Sequence, residues 1–92
     1  MDSPRTTVWK FPLPLMDVAG VEMPGGAEVI YVGAQGEGAY IWALVNPDAP
    51  RKTRTFRVAG TGHTIGVKVG AHVGSFMLLG GALVFHVFEI PR

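Results

Sequence analysis

Hydrophobic and polar residues alternate along this chain in short runs. Between residues 6 and 13, for example, the large apolar side chains Trp9, Phe11 and Leu13 occupy every second position. A period of two is typical of a β-strand with one buried face. The 13 glycines and 7 prolines separate these runs, and no pattern of period 3.6 lasts the roughly ten positions that a helix needs. The pattern predicts an all-β fold.

Seven strands are predicted, over residues 6–13, 17–23, 27–34, 39–45, 51–59, 71–79 and 82–90. The prolines at positions 12 and 14 cannot donate hydrogen bonds to a neighbouring strand, so the first strand is expected at a sheet edge. Several connections have turn chemistry, with Pro24-Gly25-Gly26, Gln35-Gly36-Glu37-Gly38 and Asn46-Pro47-Asp48-Ala49-Pro50. We therefore expect a small antiparallel β-sandwich or barrel of about six to seven strands, forming one β domain over residues 1–92.

The last third of the chain predicts a C-terminal hairpin around Gly80-Gly81, because a two-residue glycine loop suits a tight turn with positive φ angles. That turn fixes the expected register. It places Ser75 opposite His86 and Phe76 opposite Phe85 on alternate faces, and farther from the turn Val73 opposite Phe88 and His72 opposite Glu89. Both faces of this hairpin are largely apolar, which predicts a central position in the sandwich or a contact with a second subunit in a homo-oligomer.

Composition and charge remove several classes of function. The net charge is +1 and only 16% of residues are charged, which argues against nucleic acid or an anionic membrane as a partner. The uncharged stretch 73–88 is too short for a membrane-spanning helix and is interrupted by two glycines. With no cysteine, the chain has no disulfide, thiolate metal site or cysteine nucleophile. No apolar leader is visible in the first five residues, so a cytoplasmic location is expected.

Half of the basic residues lie close together in the sequence, at Arg51, Lys52, Arg54 and Arg57. On a strand, Arg51 and Arg57 would share one face and Lys52 and Arg54 the other. Two interpretations are open: a site where guanidinium groups bind a phosphate or carboxylate, or an edge strand that cations protect from aggregation. A glycine-rich loop follows, which is either a simple turn or a source of backbone donors for an anion. If a ligand exists, the predicted binding residues are Arg54, Arg57, Thr61, Gly62 and His63.

Other chemistry has weaker support in the sequence. The histidines at 63, 72 and 86 lack the spacing of a local metal site. Ser75 is expected beside His86 but in the middle of a strand, with no acid placed to orient the imidazole. No catalytic residue, metal or cofactor is predicted, which favours a protein without enzymatic activity. Aromatic side chains on strands are either core or a stacking platform for bases or sugars; the candidates are Trp9, Tyr31, Tyr40, Trp42 and Phe56.

Several longer motifs cover much of the chain: Trp42-Ala43-Leu44-Val45-Asn46-Pro47-Asp48-Ala49-Pro50, Gly60-Thr61-Gly62-His63, His72-Val73-Gly74-Ser75-Phe76 and Gly81-Ala82-Leu83-Val84-Phe85-His86-Val87-Phe88-Glu89. Together with Trp9-Lys10-Phe11-Pro12-Leu13, they resemble a family of small uncharacterised proteins encoded by bacteriophages and prophages. The resemblance implies such an origin and one compact domain, and it supplies no catalytic residues.

Two functions are expected on this basis. The first is a non-enzymatic phage accessory protein that binds a host protein or a small anionic ligand in the host cytoplasm, in host takeover or anti-defence. The alternative is a structural component of the virion, such as a capsid decoration or tail protein.

Overall fold

The computed structural model describes residues 4–91, which form two antiparallel β-sheets. The expectation of no apolar leader rests partly on residues 1–3, which lie outside the described residues. The strands are β1 (Thr7–Leu13), β2 (Val18–Pro24), β3 (Glu28–Gln35), β4 (Gly38–Val45), β5 (Arg51–Gly60), β6 (His72–Leu78) and β7 (Leu83–Glu89). Sheet A has the strand order β1-β4-β3 and sheet B the order β2-β5-β7-β6. Among the helices in residues 4–91, none has the length and apolar character needed to cross a membrane.

The core lies between the two sheets and follows the predicted alternation. In β4, every second residue is buried, from Ala39 to Val45, while Tyr40 and Trp42 point to the opposite, outer face of sheet A. In sheet B, Phe56 and Val87 are fully buried on the inner face. The period-two pattern therefore predicted the all-β fold correctly.

The positions of two strands bear on the predictions made for them. Strand β1 lies at an edge of sheet A, as its prolines predicted. Strand β5, which carries the basic residues, lies between β2 and β7 in the middle of sheet B. Residues 56–60 of this strand pair with β7, whereas Arg51, Lys52 and Arg54 are paired with β2 alone. The interpretation as a cation-protected edge therefore does not apply to Arg57, which is paired on both sides, and it stays a prediction for the other three basic residues.

The sheets approach each other closely where β3 and β6 meet. A Cβ atom at Gly74 of β6 would lie 2.9 Å from Cβ of Val32 in β3, closer than carbon atoms pack. Glycine at position 74 thus lets the two sheets converge at this corner, where a side chain would force them apart.

The C-terminal hairpin turns at the predicted glycines, but its loop is longer than the predicted two residues. The strands end at Leu78 and resume at Leu83, and Leu79 has a positive φ of 52°, as do Gly80 (64°) and Gly81 (96°). The N–H of Ala82 donates to the carbonyl of Leu79 at 3.1 Å. The hairpin register is confirmed from Leu78 opposite Leu83 as far as Gly74 opposite Val87.

Beyond Gly74 the predicted register is wrong. A β-bulge at Val73 places His72 opposite Phe88, so the expected pairs His72 with Glu89 and Val73 with Phe88 do not form. A bulge adds one residue to one strand, which exchanges the faces of the residues beyond it. His72 consequently lies on the outer face of sheet B, together with Ser75.

Residues 61–71, the crossover segment, connect β5 to β6 past the intervening strand β7. This segment lies against the outer face of sheet B, where Arg57 and Ala59 are only 6% and 2% exposed. The segment ends with two backbone hydrogen bonds to Glu89, one from the N–H of Gly70 and one to the carbonyl of Ala71. It therefore covers part of a sheet face that would otherwise be exposed.

Candidate functional site

Arg54 and Arg57 lie on opposite faces of β5, as the alternation predicted, and both guanidinium groups are bound within the protein. Arg54 is on the inner face, where Nε and Nη2 donate to the two carboxylate oxygens of Glu89 at 2.7 and 2.8 Å. Its Nη1 donates to the carbonyl of Ala27, just before β3. The hydrogen bond to Glu89 raises the pKa of Arg54, partial burial opposes this, and the charge of Glu89 adds to it. Arg54 therefore links the two sheets.

Arg57 holds the crossover segment on the sheet. Its Nε donates to the carbonyl of Ile65 and its Nη2 to that of Thr64, both at 2.8 Å. Its Nη1 donates to the carbonyls of Asp17 and Val58. The fork of donors in arginine thus satisfies four backbone acceptors beneath the segment. Arg57 lies next to the glycine-rich loop, as its position in the sequence predicted. Its guanidinium group, however, donates hydrogen bonds to backbone carbonyls of this loop.

The remaining predicted site residues, Thr61, Gly62 and His63, form a turn at the end of β5. The N–H of His63 donates to the carbonyl of Gly60 at 3.0 Å, and Gly62 has a φ of 88°. The imidazole of His63 lies against Gly60, where a Cβ atom would come within 3.0 Å of the ring. Thr61 donates its backbone N–H to Val84 of β7 and so extends the sheet by one residue. Of the five predicted residues, the structure therefore brings only these last three together as an exposed group.

Thr61 belongs to a hydrogen-bonded row of four side chains, which we name the His-Ser-Thr cluster: Thr61, His86, Ser75 and His72. Thr61 Oγ1 lies 2.7 Å from His86 Nε2, and Ser75 Oγ lies 2.8 Å from His86 Nδ1 and 3.0 Å from His72 Nε2. The four residues come from the end of β5, from β6 and from β7. Three consecutive side-chain contacts on an exposed surface are uncommon, since most protein hydrogen bonds involve the backbone.

The bulge at Val73 is what brings His72 into the cluster. Without it, His72 and Ser75 would differ by an odd number of positions along a regular strand and would point to opposite faces. Phe88 lies opposite His72, and the two rings are 5.2 Å apart, which fixes the imidazole beside Ser75. The only signal for this in the sequence is the isolated glycine at position 74, because a glycine inside a strand pattern often marks a bulge.

The cluster forms one continuous row of hydrogen bonds. In a neutral imidazole one ring nitrogen donates and the other accepts. Ser75 lies between two ring nitrogens, one from each histidine, and its hydroxyl can donate to one and accept from the other. Thr61 is at the end of the row, with one ring nitrogen at 2.7 Å and the Val84 carbonyl at 3.5 Å from its hydroxyl oxygen.

The chemistry of this cluster suits binding better than nucleophilic attack. Ser75 has an imidazole on each side, and within the cluster both rings bond to hydroxyl groups, whereas a catalytic triad uses an acid to orient its base. Across the same residues, no three histidine, aspartate or glutamate side chains converge in a way that could hold a metal ion. The cluster instead offers hydroxyl and imidazole N–H groups at the surface.

Two of the surface depressions bear on the position of a ligand site. One, of about 350 Å³, runs beside the cluster along the corner where β3 meets β6. It is lined by Tyr31, Gly33, Ala34, Ser75, Phe76, Met77 and Val84. The larger one, of about 860 Å³, lies at the other end of β5 between the turns at 25–26 and 46–50, and contains no imidazole. The smaller groove is therefore the one that adjoins the His-Ser-Thr cluster, through Ser75.

Comparisons with known proteins add one finding. The chain matches no curated protein and no solved structure. A family model described as a domain of unknown function, DUF7352, matches residues 4–92. Because this match covers nearly all of the chain, the protein belongs to the DUF7352 family.

Proposed function

We propose that this protein is a non-enzymatic binding protein that holds an anionic group of its partner at the His-Ser-Thr cluster. The observation that carries the proposal is the row of contacts at 2.7 to 3.0 Å joining Thr61, His86, Ser75 and His72 on the outer face of sheet B. Side chains already held in place lose little conformational freedom when a ligand binds. The proposal keeps Thr61 from the site predicted by the sequence and replaces the two arginines with imidazoles.

An anion fits the donors that this cluster offers. Hydroxyl and imidazole N–H groups donate hydrogen bonds to phosphate and carboxylate oxygens. The carboxylate of Glu89, the acidic residue of β7, is bonded to Arg54 on the inner face of the sheet. Hydrogen bonds to an ionised acceptor are stronger than those to a neutral one, so a phosphate or carboxylate should bind more tightly than an uncharged acceptor.

The biological setting we propose is that of a phage accessory protein in the host cytoplasm. The support for this is the resemblance of the sequence motifs to proteins of bacteriophages and prophages. Within this setting the partner is a host protein with an acidic or phosphorylated surface, or a small anionic ligand. Binding of this kind blocks a host factor without any catalytic group.

A homo-oligomer, or a structural role in the virion, has support from a different observation. Three apolar side chains at the end of the C-terminal hairpin are exposed: Met77 at 62%, Leu79 at 75% and Leu83 at 43%. Exposed apolar groups at one place commonly mark a contact with another protein. Detection of the protein in purified virions in fixed proportion to the capsid protein would favour the structural role over the accessory one.

Sulfate is a suitable probe of the cluster because it is a small anion whose oxygen atoms accept hydrogen bonds from hydroxyl and imidazole N–H groups. Ser75→Ala should weaken binding about tenfold, which corresponds to the loss of one hydrogen bond to a charged ligand. Thr55→Ala is a matched control, because Thr55 lies on the same face of sheet B but outside the cluster.

Amide NMR spectra report the binding and confirm that each variant is folded. Equal affinity of wild type and Ser75→Ala would show that the cluster does not bind the anion.

A further inference from the structure

The outer face of sheet A carries a row of aromatic side chains, one of which, Tyr31, lines the same groove as Ser75 of the His-Ser-Thr cluster. Tyr31 in β3 lies opposite Trp42 in β4, with ring centroids 5.4 Å apart, and Tyr40 lies 6.1 Å from Trp42. Tyr31 is 60% exposed. Aromatic rings on a solvent-facing sheet are not needed for the core, which lies on the other face. We name these three residues the aromatic row.

Glycines hold the two tyrosine rings flat on the sheet. A Cβ atom at Gly33 would lie 2.5 Å from Cε2 of Tyr31, and one at Gly38 would lie 3.1 Å from the hydroxyl oxygen of Tyr40. Each ring therefore occupies the space above a residue without a side chain. Gly33 is buried beneath Tyr31 although it is on the outer face. A ring that lies against the sheet presents its other face to solvent, and this orientation suits stacking.

Polar groups border the row at one end. Lys10 of β1 reaches across Tyr40, with Nζ 4.7 Å from the ring centroid, and donates to Oε1 of Gln35 in β3 at 2.7 Å. This bridge covers Tyr40 and leaves Tyr31 and the edge of Trp42 as the open part of the row. Lys10, Trp42 and Tyr31 are paired across three adjacent strands, so they span about 10 Å, twice the spacing between strands.

The charges around the row favour an uncharged ligand. The cation nearest the rings, Lys10, is already bonded to Gln35, and the outer face of β3 also carries Glu28. Sites that stack bases of single-stranded nucleic acids combine aromatic rings with a strongly basic groove, and this face has no such groove among the described residues. A pyranose ring with equatorial hydroxyl groups is neutral, has flat C–H faces for stacking and carries hydroxyls that ammonium and amide groups can bind.

We propose that the aromatic row is a binding site for a neutral carbohydrate chain of β-linked pyranose units. One sugar ring stacks on Tyr31 beside Trp42, and hydroxyl groups of the chain reach Lys10 and Gln35. The length of about 10 Å between the outer strands corresponds to about two sugar units. Tyr31 and Ser75 line the same groove, so the aromatic row adjoins the proposed anion site, but the two proposals involve different side chains and are tested with different probes.

The test uses two soluble probes, cellohexaose for a glucan and chitohexaose for a chain of N-acetylated sugars. Each is titrated into the full chain and followed by amide and indole NMR signals. We expect at least one of them to shift the signals of Tyr31 and Trp42. Tyr31→Ala should weaken binding about tenfold or more, by analogy with the loss of one stacked ring, while Tyr31→Phe should bind within about threefold of wild type because the ring remains.

Ile30→Ala is the matched control, because Ile30 is the neighbouring residue in β3 and is 51% exposed. It should leave the affinity unchanged. The proposal is overturned if neither probe binds at millimolar concentration, if Tyr31→Ala binds as tightly as wild type, or if Ile30→Ala weakens binding as much as Tyr31→Ala. It is also overturned if Tyr31→Ala only lowers the melting temperature, since the ring would then serve to cover Gly33.

Discussion

The role of Arg57 leads to a quantitative prediction about stability. Replacing Arg57 with alanine removes four hydrogen bonds, to the backbone carbonyls of Asp17, Val58, Thr64 and Ile65. The residue is only 6% exposed, so these carbonyls face a site from which most water is excluded. The nearby carboxylate of Asp17, at 3.7 Å, adds little, because that side chain is 95% exposed.

The expected loss follows from the number of bonds that water cannot replace. A hydrogen bond involving a charged group contributes about 1.5 to 3 kcal/mol. Thr64 lies in the exposed part of the crossover segment, so hydration compensates for some of the loss, and we count two of the four bonds. Arg57→Ala should therefore lower the free energy of unfolding by about 3 to 6 kcal/mol, a large part of the stability of a small domain. Arg57→Lys should lose about 2 kcal/mol, since one ammonium cannot replace the fork.

Urea denaturation followed by tryptophan fluorescence measures this quantity. Lys68→Ala is the control, because it removes the same charge from an exposed position of the crossover segment and should change stability by less than about 0.5 kcal/mol. If Arg57→Ala stays within about 1 kcal/mol of wild type, the segment is not held by this side chain and Arg57 is free to take part in ligand binding.

Three further predictions concern packing, charge and assembly. Gly74→Ala should lower the melting temperature in differential scanning calorimetry at a cost of about 1 to 3 kcal/mol, because its Cβ would clash with Val32; adding Val32→Ala should restore part of the loss, and additive losses would contradict the close contact. Arg54→Met should cost about 2 to 4 kcal/mol by urea denaturation, because it leaves Glu89 without its bidentate partner. Because Glu89 raises the pKa of Arg54, the stability that this ion pair contributes is fully present below the ordinary pKa of arginine and is lost only at still higher pH. The stability lost in Arg54→Met should therefore be constant between about pH 6 and pH 10, and a value that varied in this range would count against the ion pair. If the hairpin end is a subunit contact, Leu79→Lys should convert an oligomer into a monomer in light scattering, whereas a wild-type monomer would refute the contact.

Much of the fold could be predicted from the sequence because its signals are local. The alternation in β4, the prolines of β1 and the position of the turn at Gly80-Gly81 each depend on a few neighbouring residues, and the structure agrees with all three. The place of β5 could not be predicted in this way. Whether a strand is central or at an edge depends on which strands pair with it, and β5 is paired on both sides only from Phe56 onward, beyond most of its cations.

In the candidate site too, the contact that the hairpin register fixes could be predicted, and the contacts that depend on the bulge and on the crossover segment could not. The hairpin register placed Ser75 beside His86, which the structure confirms. The bulge at Val73 moved His72 to their face, and the path of the crossover segment brought Thr61 to His86. No sequence motif indicates the bulge at Val73 or the path of the crossover segment. The basic residues attracted attention in the sequence because of their charge, but charge alone does not reveal that a guanidinium is already bound to a carboxylate or to backbone carbonyls.

The central claim, that an anion binds at the His-Ser-Thr cluster, is tested most directly by the ring signals of the three histidines. Imidazole nitrogen and proton resonances can be followed by NMR during a sulfate titration at about pH 6, where imidazoles exchange protons with water. His63 is an internal control, because its ring lies against Gly60 outside the cluster. The account predicts that the signals of His72 and His86 shift together with one affinity while those of His63 stay in place. Equal shifts at all three rings, or no shift at His72 and His86, would contradict it.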